Sequence, residues 1–401
     1  MLSVRISSAV LALLSLTCIY SCAGRSNSDK ESNSGGKISK SRPVAAKPKP
    51  GITPSKPGLP TYHFDRPAHV KGLYWTAWVA GSKTGTARLM AITDKTEINA
   101  AVVDVRDEGQ MYFKTGIPLA DDSGANHIAV AKPAAMMKMF EDHKVWPIAR
   151  IACFRDNFVT VKHPELAIQF PDHRVWSDRK RNHWLDPYNK KNWEYLAACV
   201  DFALDMGFPE IQLDYVRFPS EGKAATQFFP AKKDYPSGAN GLNADVIADF
   251  TKFIGDRVHK RHGVFSVDIF GIISSTKGDE GIGQQLEKVS ASFDVLSPMI
   301  YPSHFAKGEY GIKNPNEAPY QIIKKSLDDY KKRLPKTVIR PWLQAFNLGG
   351  MMKYSAKELK AQIKATRDVG YQGFLIWNAQ NRYPYAVESL GPKPAQEQYV
   401  H

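Results

Sequence analysis

Apolar and polar residues alternate in twos along 210–219, Glu-Ile-Gln-Leu-Asp-Tyr-Val-Arg-Phe-Pro, with Ile211, Leu213 and Tyr215 on one face and Gln212, Asp214 and Val216 on the other. This period predicts a strand with a carboxylate near its C-terminal tip. Just upstream, 192–206 has apolar residues at helical spacing, and Gly207 stands where a left-handed helix cap is expected. Strand-like runs recur at 72–78, 100–106, 146–152, 264–270, 295–301, 338–344 and 373–378. Helical patterns fall between them at 134–143, 243–262 and 318–334, and a capping box at Ser355 and Glu358 opens another that stops at Gly370. Eight β-then-α alternations predict a (β/α)8 TIM barrel. A doubly wound open sheet is the rival, but it calls for a glycine-rich phosphate turn after an early strand. The chain has none: Gly81-Ser-Lys-Thr-Gly85 holds the right residue types in the wrong order.

In a barrel, one face of each strand meets the helices and the other the lumen, so polar residues near the C-terminal ends of the strands point into the mouth. Parity assigns to that mouth Asp104, Arg106, Arg150, Asp214, Asp268, Tyr301, Gln344 and Trp377. Two βα connections are too long to be simple joints. The first, 153–187, carries Phe154, Arg155, His173, Trp176 and Trp184, and the second, 218–240, carries Phe228, Phe229 and Tyr235. Both follow strands, so both belong to the mouth, as binding walls or as aromatic packing.

The ends of the chain change this picture little. Residues 1–22 combine Arg5, a short apolar run and Ser-Cys22, the pattern of a secretory leader whose Cys22 resembles a lipidated lipobox cysteine. Residues 23–60 are Ser, Lys, Gly and Pro with almost nothing apolar, the composition of a disordered tether, which leaves 61–401 as the barrel domain with its core at about 70–385. That tether alone carries eight Lys/Arg against two acidic residues, a large share of the chain's +14. The basic excess is thus half tether and no nucleic-acid face; it reads as a solvated linker or as attraction to anionic envelope polymers or lipid, on a protein exported either with an N-terminal lipid anchor or after ordinary signal cleavage. Cys153 and Cys199 have neither disulfide-framework nor metal-ligand spacing, and buried free thiols are expected.

Paired carboxylates are the strongest chemical signal. Asp214 and Asp268 fall at equivalent depth on successive strands, so one carboxylate can serve as nucleophile or base while the other protonates a leaving oxygen. Asp104 and Asp107 form a second acidic group, an alternative source of the acid or a site for sugar hydroxyls. Arg106 and Arg217 are candidates to hold the carboxylates ionised. His304 and Asn378, at the ends of the sixth and eighth runs, complete the expected substrate-binding set. No Gly-x-Ser-x-Gly elbow or His-Glu-x-x-His motif occurs, and no cofactor is implied.

Several segments together resemble one family. Gly72-Leu-Tyr-Trp, Val103-Asp-Val-Arg-Asp-Glu-Gly109, Ile211-Gln-Leu-Asp-Tyr-Val-Arg-Phe-Pro219, Phe265-Ser-Val-Asp-Ile-Phe-Gly271, Leu296-Ser-Pro-Met-Ile-Tyr-Pro-Ser-His304, Arg340-Pro-Trp-Leu-Gln344 and Leu375-Ile-Trp-Asn378 are similar to the bacterial "putative glycoside hydrolase" domain family, distantly α-amylase-like. The resemblance implies a TIM barrel that hydrolyses polysaccharide, with Asp214 at the nucleophile position. It departs from the α-amylase pattern at two places: Gln212 stands where those enzymes carry Arg, and Asp268 where they carry Glu. The resulting expectation is an exported glycosidase of the cell envelope. A non-catalytic glycan-binding barrel is the alternative.

Overall fold

The computed structural model describes residues 59–236 and 242–400. The expected leader with Cys22, and the tether except for its last two residues, lie outside the described residues. Eight parallel strands run in chain order: β1 Lys71–Trp75, β2 Ala100–Asp107, β3 Trp146–Ala152, β4 Glu210–Asp214, β5 Val264–Phe270, β6 Val295–Met299, β7 in two pieces (Val338–Ile339 and Trp342–Gln344), and β8 Phe374–Trp377. Each pairs in parallel with its sequence neighbours, and β1 pairs with both β2 and β8, so the sheet closes into the expected barrel. The break in β7 falls at Arg340-Pro341, where proline has no N–H to give to the ladder.

Alternation along the strands sorts the core into two clusters. Tyr74, Val102, Ile148, Val264, Val295, Trp342 and Leu375 fill the lumen, while their strand neighbours Leu73, Val103, Ile151, Phe265, Leu296, Leu343 and Ile376 pack outward against the helices. The helix Lys190–Asp205 buries Leu196, Val200 and Leu204 on that outer side, each worth about 1.5–3 kcal/mol when fully removed from water. Its chain reversal uses Gly207 at φ 94°, and a Cβ there would lie 2.5 Å from the Tyr62 ring. The expected capping box is formed by Ser355 and Glu358 at the start of Ala356–Asp368. Cys153 and Cys199 are buried free thiols.

The floor of the lumen is polar, and part of it is paired. Glu210 accepts the Trp146 indole N–H at 2.8 Å and is ion-paired with Arg340 from across the barrel. The run predicted at 72–78 ends as a strand at Trp75, because Thr76 caps a short helix, Ala77–Ala80, by accepting the Val79 amide on its hydroxyl.

Candidate active site

The carboxylates gather at the C-terminal ends of the strands. Leu213 is in register with Val267, which sets Asp214 and Asp268 level on adjacent strands. Both are buried, at 5% and 1% exposure, and both line one cavity of about 220 Å³ with Asp104, Asp107, Arg150 and Trp377.

Arg150 is the centre of the charge network. Its Nε and Nη2 donate to Asp214 Oδ2 at 3.0 and 2.6 Å, and its Nη1 donates to Asp104 Oδ1 at 2.6 Å. A planar guanidinium can grip two carboxylates on neighbouring strands in this way, and a lysine cannot. Asp214 also accepts its neighbour's amide: Tyr215 takes the left-handed conformation, φ 51°, and its N–H reaches Asp214 Oδ1 at 2.6 Å. Such a backbone conformation is costly for a bulky residue and turns the chain sharply at the end of β4.

Asp268 lives differently. Among the described residues its hydrogen-bond partner is the Trp342 indole N–H, on Oδ1 at 2.8 Å. Burial, and then the charge of Asp214, push its carboxyl well above the usual range, against the weaker pull of Trp342, Arg150 and Arg340. Asp104 accepts the Tyr74 hydroxyl at 2.5 Å and is pushed up to about 7 by burial and by Asp107, with Arg150 opposing. Burial also raises Asp107, but Arg150 and Arg155 outweigh it and leave this carboxyl below its ordinary value.

Arg106 does not reach the mouth, contrary to the parity reading. The pairing of β2 with β3 slips between Asp104 and Arg106, so that Asp104 faces Arg150 whereas Arg106 faces Ile151. This bulge turns Arg106 outward, where it is ion-paired with Asp156 and donates to the carbonyls of Ala152 and Cys153. Asp107 takes the lumen side in its place. Nor does Arg217 hold the paired carboxylates: it lines the cavity, but its Nη1 donates to Phe218 O and Ser220 Oγ and its guanidinium lies 5.2 Å from the Tyr215 ring. The ion pairs expected of these two are made by Arg150.

Tyr301 and Trp377 line the cavity as expected. Gln344 does not: its amide is committed to Ser303 N–H and Phe346 O, tying β7 to the loop after β6. Asn378 likewise bonds Ala345 O and Gln380 N–H. His304 sits beside Tyr301 and Phe346, outside the cavity lining, and burial followed by the charge of Lys180 pushes it down to about 4.

Sequence reading missed Tyr74, Trp342 and Tyr215 as lining residues, whereas Arg155, on the long connection expected at the mouth, does line the cavity. Trp342 shares parity with Gln344, already assigned to the lumen, so strict alternation was the available signal there. Trp377 stacks on Tyr74 with ring centres 3.9 Å apart, and its buried Nε1 has no acceptor among the described residues. The long-loop aromatics are mainly packing: Phe154, Trp176 and Trp184 are fully buried, and Tyr188, Phe218, Phe229 and Tyr235 contact one another.

None of the curated proteins matches the chain. Among solved structures, the glycoside hydrolase domain of PgaB (BpsB) from Bordetella bronchiseptica is similar at TM-score 0.57 and 13% identity, over 83% of this chain and 100% of that one. The α-galactosidase TtGalA from Thermus thermophilus is similar at TM-score 0.50 and 12% identity, over 81% and 61%. A hypothetical protein from Ruminiclostridium thermocellum is 31% identical over 49% of this chain and 96% of its own, at TM-score 0.44. The first two likenesses show the barrel fold. Residues 72–383 match a single family across the whole barrel, and the chain therefore belongs to the family described as "Putative glycosyl hydrolase domain".

Proposed function

We propose that the protein hydrolyses O-glycosidic bonds of a polysaccharide, with Asp268 as the general acid and Asp214 as the nucleophile or base. The observation that carries this reading is the unlike treatment of two level carboxylates in one cavity. Asp214 is gripped by two N–H groups of Arg150 and one backbone amide. Asp268 receives a single indole N–H and is held toward its protonated form by burial and by Asp214. Paired carboxyls whose environments push their titrations apart divide into acid and base.

In the reaction, Asp268 delivers its proton to the leaving oxygen as the bond from the anomeric carbon breaks. Asp214 attacks that carbon or deprotonates the water that does, and water finally supplies OH to the sugar. Tyr74 and Arg150 hold Asp104 ready to accept from sugar hydroxyls. The leader pattern and the lipobox-like Cys22 support export and a lipid anchor, and hence an envelope or extracellular substrate.

The deciding experiment is reducing-end release from a panel of bacterial and plant polysaccharides by the protein without its leader, beside Asp214→Asn. Release by the parent alone supports the assignment. Binding without cleavage by the parent would make this a glycan-binding barrel, and cleavage undiminished in Asp214→Asn would remove that residue from the mechanism.

A further inference from the structure

We infer that Trp78, with Tyr112 at its edge, is a stacking platform for a sugar ring at the mouth of the cleavage cavity, so that the substrate is a chain and not a small glycoside. The inference rests on the hydrolase reading above and specifies its substrate.

The enclosed cavity measures about 220 Å³, below the roughly 300–1,000 Å³ that takes a drug-sized ligand. It has room for little more than one sugar unit, and the rest of a chain must lie across the rim. Of the large hydrophobic side chains exposed among the described residues, Trp78 alone also lines this cavity. Trp78 is 59% exposed, so an apolar face of its ring is open at the mouth of the cavity. Tyr112 meets it edge-on at 6.3 Å between ring centres.

The platform is held in place before any ligand arrives. Thr76, which caps the short helix bearing Trp78, donates from its amide and hydroxyl to Asn381 Oδ1 at 2.8 and 2.9 Å. Asn381 in turn donates to the carbonyl of Tyr74, inside the cavity wall. The short helix that bears Trp78 is thus tied to β1 through two hydrogen-bonded links. Pyranose rings carry an apolar C–H face that packs on an indole, whose two side-chain torsions leave little entropy to lose on stacking. Asp107 and Arg155, beside it in the cavity lining, are placed to bond the hydroxyls of the same chain.

Trp78→Ala and Trp78→Phe are compared with the parent in two assays, with thermal melting as the check on folding. The first is hydrolysis of a cleaved polysaccharide and of the aryl glycoside of its non-reducing sugar. The second, in the Asp214→Asn background, is affinity electrophoresis through gels containing that polysaccharide. The expected result for Trp78→Ala is about a tenfold loss of affinity and of kcat/KM on the polysaccharide, with a markedly smaller loss on the aryl glycoside. Trp78→Phe should recover most of the loss. Equal behaviour of Trp78→Ala and parent on the polymer overturns the platform and leaves the hydrolase reading intact. A parent that neither binds nor cleaves any glycan overturns both.

Discussion

The indole N–H of Trp342 on β7 donates to Asp268 on β5 at 2.8 Å, with β6 lying between the two strands. This bond favours the ionised carboxylate and so restrains the upward push that burial and Asp214 exert on Asp268. Trp342→Phe should let Asp268 rise further. Because the acid works protonated, activity falls as pH climbs through its titration, and the alkaline limb of the pH profile should move to higher pH. A limb that stays in place, or moves down, would contradict the assignment of Asp268 as acid.

Leaving-group dependence separates the two carboxylates. Asp268→Asn should lose ~10²–10⁴-fold on a polysaccharide, which needs a proton on its leaving oxygen, and far less on a dinitrophenyl glycoside, which does not. Asp214→Asn should lose activity on both. Equal losses of Asp268→Asn on the two substrates would assign the proton to another group, with Asp104 next in line.

Stability should carry the signature of the same carboxyl. Asp268 has a folded-state titration above its unfolded one, so its neutral form favours folding at low pH. That contribution is lost as pH rises from the unfolded value toward the folded one. Asp268→Asn removes the cost, since the amide can still accept from Trp342. Its melting temperature should exceed the parent's at pH 7–8 by roughly 2–4 °C per kcal/mol recovered, and match it near pH 4. Differential scanning calorimetry across this range checks the sign.

Arg150 faces a different test. It compensates Asp104 and Asp214 together, and removing one partner from a buried ion pair costs about 3–5 kcal/mol. Arg150→Met should therefore lose both stability and activity. Arg150→Lys should recover part of the stability but little activity, because one ammonium cannot make the paired contacts to Asp214 and Asp104 at once. Denaturant unfolding beside kcat measurement separates the two effects.

His304 is neutral across the physiological range, being pushed down to about 4. His304→Asn should leave both limbs of the pH profile unmoved above pH 5. A shift near pH 6–7 would mean that His304 carries a proton the reaction uses.

The barrel was legible because its signal is repeated: a strand buried on both faces still alternates polar and apolar residues near its tip, and eight such runs separated by helices allow few architectures. Asp214 and Asp268 were legible for the same reason, since equal depth on adjacent strands follows from counting. Arg150 was found, but its role was given to Arg106 and Arg217, because alternation says which side of a strand a residue takes and nothing of which carboxylate it will reach. Arg106 was misplaced by one backbone irregularity that leaves no compositional mark. Gln344 ends β7 and Asn378 follows β8 directly, as expected, yet both spend their amides on backbone, Gln344 on the carbonyl of Phe346 and Asn378 on that of Ala345, a choice that alternation does not encode. The long loops' aromatics could not be divided into walls and packing until the partners of Tyr188 and Phe229 were seen.

The slip in β2 has a consequence for how this mouth can vary. It decides whether the lumen receives the guanidinium of Arg106 or the carboxylate of Asp107, so a one-residue change in length there exchanges a cation for an anion at the entrance without altering any side chain. Among sequences sharing this barrel, insertions and deletions in β2 should therefore track the charge of the glycan accepted more closely than substitutions do, and alignments that close such gaps will equate residues that face opposite sides of the wall.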